Sequence, residues 1–188
     1  MIPLVLASQS PRRKELLSIL GIPFSIVPSS IDEIPARGEN PEQFVVRVAR
    51  QKGMDVASRV SQSVVLSADT VGTMDRDILG KPADAHDAFR MLRKLSGREH
   101  WVYTAISVLN QVKHQTLEGI DRTRVWFSTL TDEQILDYIR RENVLDKAGA
   151  YAIQGYAGVF IPKIEGNYFN VMGLPLPLVH EFLCRTLS

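Results

Sequence analysis

The reading of the fold turns on Ile2-Pro3-Leu4-Val5-Leu6-Ala7-Ser8-Gln9-Ser10-Pro11-Arg12-Arg13-Lys14-Glu15-Leu16-Leu17-Ser18-Ile19-Leu20-Gly21. Residues 2–6 are apolar and β-prone, which predicts a buried strand. Ala7-Ser8-Gln9-Ser10 is a short polar loop. A punctuated helix follows. Ser10 suits the N-cap, Pro11 the first helical position and Gly21 the C-terminal stop. Leu16, Leu17 and Leu20 give that helix an apolar face. Residues 24–28 then predict a second strand.

Outward from this unit the pattern repeats. Residues 29–40 form a polar loop carrying Asp32-Glu33. Asn40-Pro41 opens a helix with Gln43 placed to complete a capping box, and Phe44, Val45 and Val48 mark its buried stripe. Val64-Val65-Leu66 starts a buried strand that runs into Ala68-Asp69-Thr70, and 72–82 is loop or hairpin. Asp84 caps a helix with Ala85, Ala88, Phe89, Leu92 and Leu95 on its buried face, and Gly97 ends it. Residues 99–109 and 112–130 favour strands. Thr131 and Gln134 form another capping-box pattern before Ile135, Leu136, Tyr138 and Ile139. The Gly- and aromatic-rich tract 150–173 predicts strands and tight turns, and 175–187 a closing helix. Such alternation predicts an α/β fold with a mixed sheet and flanking helices, in a single domain over 1–188. There is no internal repeat, low-complexity tract or linker.

Composition removes several function classes. Lys and Arg total 22 and Asp and Glu 21, a net charge of +1 that argues against a dedicated duplex-DNA binder. No basic-aromatic stripe is visible in the sequence, so no nucleic-acid partner is expected. The chain is 45% hydrophobic, enough for a sizeable core. No apolar run approaches the ~20 residues of a membrane-spanning helix, and the opening residues lack a charged signal-peptide region. Cys184 is the one cysteine, which excludes an intramolecular disulfide and a cysteine zinc cluster; in an apolar helix it reads as a packing residue. The expected class is a soluble cytoplasmic protein. No P-loop, dinucleotide-binding, nucleophile-elbow or zinc-protease motif occurs.

Candidate chemistry begins at the first helix. Arg12 and Arg13 in its first turn oppose the positive end of the helix dipole, an arrangement that favours a bound anion such as phosphate. The plain alternative is a capping Ser10 with solvated arginines. Asp69, at the end of an inferred central strand, suits either a Mg²⁺ or water site or a simple Asx turn. Glu33 matters only if folding brings it near Asp69. Lys52, Lys81 and Lys147 read by default as surface lysines, with Lys81 the more pointed because Gly80 and Pro82 fix its backbone. Gln154, before Gly155, reads as a turn residue or as a contact to a base or phosphate.

Together these blocks resemble the Maf family of nucleoside triphosphate pyrophosphatases, also called septum-formation inhibitor proteins. Leu6-Ala7-Ser8-Gln9-Ser10-Pro11-Arg12-Arg13 is similar to the family's opening signature. Leu66-Ser67-Ala68-Asp69-Thr70-Val71 and Leu79-Gly80-Lys81-Pro82 are similar to its central pair. Leu95-Ser96-Gly97, His100 and Thr104 continue it, and 146–151, Ile153-Gln154-Gly155 and 170–175 complete it. The resemblance spans nearly the whole chain. It implies an elongated fold like that of the inosine triphosphate pyrophosphatases, with two lobes around a cleft, often dimeric. It implies hydrolysis of a nucleoside triphosphate to monophosphate and pyrophosphate with Mg²⁺ or Mn²⁺. Val71 after Asp69-Thr70, with Lys81 and Gln154, looks like the branch acting on dTTP and UTP rather than on 7-methyl-GTP. Gly72 departs from the pattern, which would have an apolar β-branched residue there.

On this reading Arg12, Arg13, Lys52 and Lys81 neutralise the triphosphate, with Ser8 and the helix start as neutral donors. Glu33 and Asp69 hold the metal. Asp69 positions or deprotonates the water, and Thr70 and Gln154 contact phosphate or base. Arg13, Lys81 and Asp69 form the catalytic set. Two competing classes remain, a non-catalytic nucleotide-binding regulator of septation and a nucleic-acid module.

Overall fold

The computed structural model describes residues 2–75 and 77–187. Seven strands form one mixed sheet: β1 (Leu4–Leu6), β2 (Phe24–Ile26), β3 (Val64–Met74), β4 (Asp77–Leu79), β5 (Glu99–Asn110), β6 (Gln115–Trp126) and β7 (Lys163–Glu165). The order is β2-β1-β3-β5-β6-β7, with β4 paired to β3. β1 runs parallel to β2 and β3, while the other pairs are antiparallel. Among the described residues six α-helices flank it: α1 (Pro11–Ser18), α2 (Pro41–Ala57), α3 (Ala85–Leu95), α4 (Asp132–Arg141), α5 (Tyr168–Met172) and α6 (Leu176–Leu187). No described helix is long and apolar enough to cross a membrane.

The expected helix starts are where local chemistry puts them. Ser10, Asn40, Asp84 and Thr131 each accept a backbone N–H at a helix N-terminus, and the boxes with Gln43 and Gln134 are complete. Four expectations are corrected. Asp69 is not at a strand end, because β3 continues to Met74 by pairing Gly72, Thr73 and Met74 with β4. The tract 150–173 holds two 3-10 helices (Ala148–Ala150 and Tyr156–Phe160), α5 and only the three-residue β7. Its turns rest on left-handed backbone at Gly149, Ala150, Gly166 and Gly173, which gives no period-2 pattern. Ala85 faces solvent, and so does Cys184, whose Sγ lies 3.6 Å from His180 Nε2 instead of packing in the core.

The sheet divides its cores in a way that creates a cleft. On one face, Leu4, Leu6, Leu66 and Ala68 pack under α1 and α6 with Leu16, Leu17, Val179 and Phe182. Further along the same face, Met74, Val102 and Val125 pack under α3 and α4 with Leu92, Leu95, Ile135 and Tyr138. Thr70 and Gly72 lie on that face between the two cores, since side chains on a strand alternate. The opposite face is covered by α2 through Phe44, Val45 and Val48 against Val71 and Ala105. Gly53 lets α2 approach closely, because a Cβ there would meet Ser67 Oγ at 2.8 Å. That approach carries the neighbouring Lys52 down to the sheet. Pairing also assembles a cation–aromatic row from separate strands, with Arg124 4.6 Å from the Trp101 ring and Lys163 4.3 Å from the Trp126 ring.

Candidate active site

The site forms at a gap in the sheet. β1 pairs with β3 only along 64–66, and β4 pairs with it only along 72–74. Between them the β3 edge at 67–71 has no described strand beside it. Here β1 turns away through Ala7–Ser10 into α1. The parallel β1–β3 pair thus ends where Asp69 begins to face the gap, in keeping with ligand sites at the carboxyl ends of parallel strands. A cleft of about 610 Å³ opens there, lined by the start of α1, Glu33, Lys52, β3, Lys81 and residues 146–154.

Folding brings Glu33 and Asp69 together through one cation. Lys52 Nζ lies 2.7 Å from Glu33 Oε1 and 2.8 Å from Asp69 Oδ1. Lys52 is buried because it follows Val48 by one helical turn on the stripe that α2 turns to the sheet. It is therefore not the surface lysine of the default reading. Asp69 is buried as well, and its Oδ2 has no hydrogen-bond partner among the described residues. Burial pushes the Asp69 carboxyl above the usual carboxylate range, against the opposing pull of Lys52 and Arg13. For Glu33, burial acts upward, but the Lys52 hydrogen bond and charge, with Lys81 and Arg13 behind, carry it below its usual value. Two carboxylates in one site are thus driven apart in acidity, the pattern of groups with different tasks.

Arg13 is fixed rather than free. Its Nε donates to Gly173 O at 2.8 Å and its Nη2 to Thr70 Oγ1 at 3.0 Å. Thr70 Oγ1 lies 3.0 Å from Thr104 Oγ1, which donates to Asn170 O at 3.0 Å. Thr70 is therefore bound into the support of Arg13. Burial lowers the Arg13 pKa against the pull of Asp69 and Glu33. Arg12 lies 3.6 Å from Asp146. Ser8 Oγ accepts the Ser10 N–H at 3.1 Å, holding the loop that leads into α1. Lys81 and Gln154 are exposed and line the same cleft. Every residue singled out for the site is thus brought to one cleft.

Other participants carried weaker signals. Lys147 is buried, held by Asp146 at 2.8 Å and by the Asn143 carbonyl. The Gly149 N–H donates to Gly80 O at 3.0 Å, tying this loop to that of Lys81. Only the Asp-Lys-Ala-Gly run hinted at these roles. Asn170, fully buried, donates to Val102 O at 3.0 Å and to Thr123 Oγ1 at 2.9 Å, which fixes the turn that presents Gly173 to Arg13. No sequence signal marked it beyond its place in the last motif.

His100 shares a 2.8 Å hydrogen bond with the Tyr151 hydroxyl at the apolar end of the cleft. Burial pushes its pKa down to about 4. The unfolded chain binds this proton more readily, so the stability is intact above the ordinary histidine value and is lost as pH falls from there to about 4. The loss reaches roughly 3 kcal/mol from one group. Urea unfolding of wild type and His100→Gln at pH 7 and pH 4 tests this: the wild type is expected to lose more stability on acidification, by about that amount, while an equal loss in both would contradict it.

A model of the family described as "Maf-like protein" matches residues 3–186. The chain belongs to the Maf family. A Maf relative from Clostridioides difficile (strain 630), named dTTP/UTP pyrophosphatase, is 44% identical over 98% of this chain and 95% of its own. One of the same name from Geotalea uraniireducens (strain Rf4) is 48% identical over 97% of this chain and 94% of its own. Among solved structures, the Staphylococcus aureus Ham1 protein aligns with a TM-score of 0.48 at 13% identity, over 66% of this chain and 71% of that one. Residues of most of the quoted Maf motifs line the cleft, among them 7–13, Asp69, Thr70, Lys81, 146–149, Gln154 and 171–173, whereas 95–97 and Thr104 do not.

Proposed function

We propose that this protein hydrolyses dTTP and UTP to the nucleoside monophosphate and pyrophosphate, using Mg²⁺ or Mn²⁺. The observation that carries the reading is Asp69. It is a buried carboxylate of raised pKa with one oxygen lacking a hydrogen-bond partner among the described residues, in a cleft rimmed by Arg12, Arg13, Lys52 and Lys81. The names of the relatives support the substrate.

The chemistry follows from charge. Water attacks the α-phosphorus, the bond from that phosphorus to the bridging oxygen breaks, and pyrophosphate leaves. Triphosphate and leaving group are both polyanionic, so fixed cations that meet developing charge lower the barrier. Arg13, pre-oriented by Gly173 and Thr70, and Lys81, beside the exposed mouth, do this. Arg12, Ser8 and the N–H groups at the start of α1 bind phosphate oxygens. Asp69 Oδ2 accepts the proton of the attacking water, and a carboxyl pKa raised by burial suits a base. Lys52 holds Glu33 and Asp69 in register.

The donor set also fits a hard divalent cation: two carboxylates, one with an oxygen that has no hydrogen-bond partner among the described residues, lining a cleft of about 610 Å³. Glu33 and Asp69 would hold it, and it would supply further charge neutralisation and a more acidic water. Gln154 contacts the base or sugar. The test is pyrophosphate release from dTTP, UTP, CTP and 7-methyl-GTP with purified protein and Mg²⁺. Release from dTTP and UTP is expected. A clear preference for 7-methyl-GTP would overturn the branch, and release from none would leave a nucleotide-binding regulator.

A further inference from the structure

Two hydroxyls stand between a group that can only donate and a group that can only accept. Arg13 Nη2 lies 3.0 Å from Thr70 Oγ1, which lies 3.0 Å from Thr104 Oγ1, which lies 3.0 Å from the Asn170 carbonyl oxygen. A guanidinium has no acceptor, a carbonyl has no proton, and each hydroxyl has a single proton to give. With the Thr104 proton on Asn170 O, the proton between the threonines is that of Thr70. The Thr70 lone pairs then face Arg13. In the reverse sense, Thr104 Oγ1 and Asn170 O would meet at 3.0 Å as two acceptors, and the Thr70 proton would turn to Gly173 O at 3.5 Å. The chain therefore runs one way, from Arg13 to Asn170, and bonds so aligned strengthen one another.

Strand pairing builds this chain. Thr70 of β3 lies opposite Thr104 of β5, so their side chains project from the same face of the sheet. Thr104 is fully buried, and its neighbours on that face of β5 are Val102 and Ile106. Valine would fill the same volume and suit a strand equally well. It would lack only the hydroxyl, a group that costs free energy to bury unless it is bonded. The far end is anchored. Asn170 donates to Val102 O and Thr123 Oγ1, and its carbonyl also accepts the Gly173 N–H at 3.0 Å. Gly173 O in turn accepts Arg13 Nε at 2.8 Å. Both arms of the guanidinium thus trace back to Asn170, one through Gly173 and one through Thr70 and Thr104.

We infer that Thr104 is a positioning residue for Arg13: it takes the Thr70 proton and thereby aims the Thr70 oxygen at the guanidinium. This rests on the pyrophosphatase reading above, in which Arg13 meets the charge that develops on the triphosphate. Thr104 does not line the cleft and acts through Thr70. Without the Thr104 oxygen, the Thr70 proton turns to Gly173 O, the carbonyl that Arg13 Nε already uses. Both anchors of Arg13 then weaken together, while its charge stays in place.

The experiment measures kcat and KM for dTTP in wild type, Thr104→Val, Thr104→Ser, Arg13→Lys and the double variant of Thr104→Val with Arg13→Lys, with a melting curve for each. Thr104→Val is expected to lower kcat about tenfold with KM held within about twofold, the scale of one hydrogen bond expressed in the transition state. Thr104→Ser keeps the hydroxyl and is expected to retain kcat to within about threefold. In the Arg13→Lys background, Thr104→Val is expected to cost less than about twofold more, because residues acting as a unit are not additive. A folded Thr104→Val with kcat within twofold of wild type overturns the inference. An equal loss in both backgrounds also overturns it, since Thr104 would then act apart from Arg13. A Thr104→Val protein that does not fold overturns it as well, because the hydroxyl would then serve the fold. The Arg13 Nε–H resonance, assigned by its loss in Arg13→Lys, gives a readout free of turnover. Its exchange with water is expected to quicken about tenfold in Thr104→Val, and unchanged exchange overturns the inference whatever the rates do. Wild type that releases no pyrophosphate from dTTP or UTP removes the hydrolase reading instead, and the exchange comparison still decides the role of Thr104.

Discussion

Asp69→Asn is expected to lower kcat for pyrophosphate release by a factor on the order of 10³–10⁴, with little change in the folded protein. The side chain is near-isosteric. Its carbonyl oxygen can still accept from Lys52, which lies 2.8 Å from Oδ1 in the wild type. The amide cannot accept a proton from water and is a poor ligand for a hard cation. Lys52 keeps its ion pair with Glu33 at 2.7 Å, so the buried ammonium is not left without a carboxylate. Circular dichroism and a melting curve check the fold, and steady-state assays check the rate. A variant that keeps kcat within tenfold of wild type would remove Asp69 from the chemistry.

Arg13→Lys is expected to cost about 10²–10³ in kcat even though the positive charge stays. The guanidinium spans two acceptors, Gly173 O and Thr70 Oγ1, which lie 103 residues apart in the chain. A lysine ammonium is a point donor on a flexible stem and cannot hold both while facing the cleft. A loss in kcat larger than the rise in KM marks an interaction that strengthens in the transition state. The lost hydrogen bonds should also lower stability by about 1–3 kcal/mol. Full activity in Arg13→Lys would show that charge alone suffices and that the Thr70–Thr104–Asn170 support is merely structural.

Local chemistry made the fold's outline legible in the sequence. Helix starts rest on contacts within four residues, such as Asn40 with Gln43 and Thr131 with Gln134, so a single sequence carries them. The end of β3 was not legible, because Gly72 gives no strand signal and its place depends on pairing with Leu79 after a turn. The 3-10 turns of 148–160 escaped for a related reason. Ala150 adopts φ of 63° under tertiary constraint, which its identity does not announce.

The candidate site divides in the same manner. Arg12 and Arg13 stood out because cations at a helix start are locally unfavourable. Lys52 did not, although Val48 one turn earlier placed it on the buried stripe; a polar residue on an apolar face reads as an exception until its partners are known. Those partners, Glu33 and Asp69, are 19 and 17 residues away and meet only when α2 packs on β3. Asp146 and Lys147, held to the Lys81 loop through Gly149, depended on longer-range contact still.

Hydrolysis of dTTP in ¹⁸O-labelled water tests the central claim most directly, because it reports which phosphorus the cleft presents to the nucleophile. With Asp69 activating water beside the α-phosphorus, one ¹⁸O atom is expected in dTMP and none in the released pyrophosphate. Label in pyrophosphate, or release of orthophosphate in place of pyrophosphate, would contradict it.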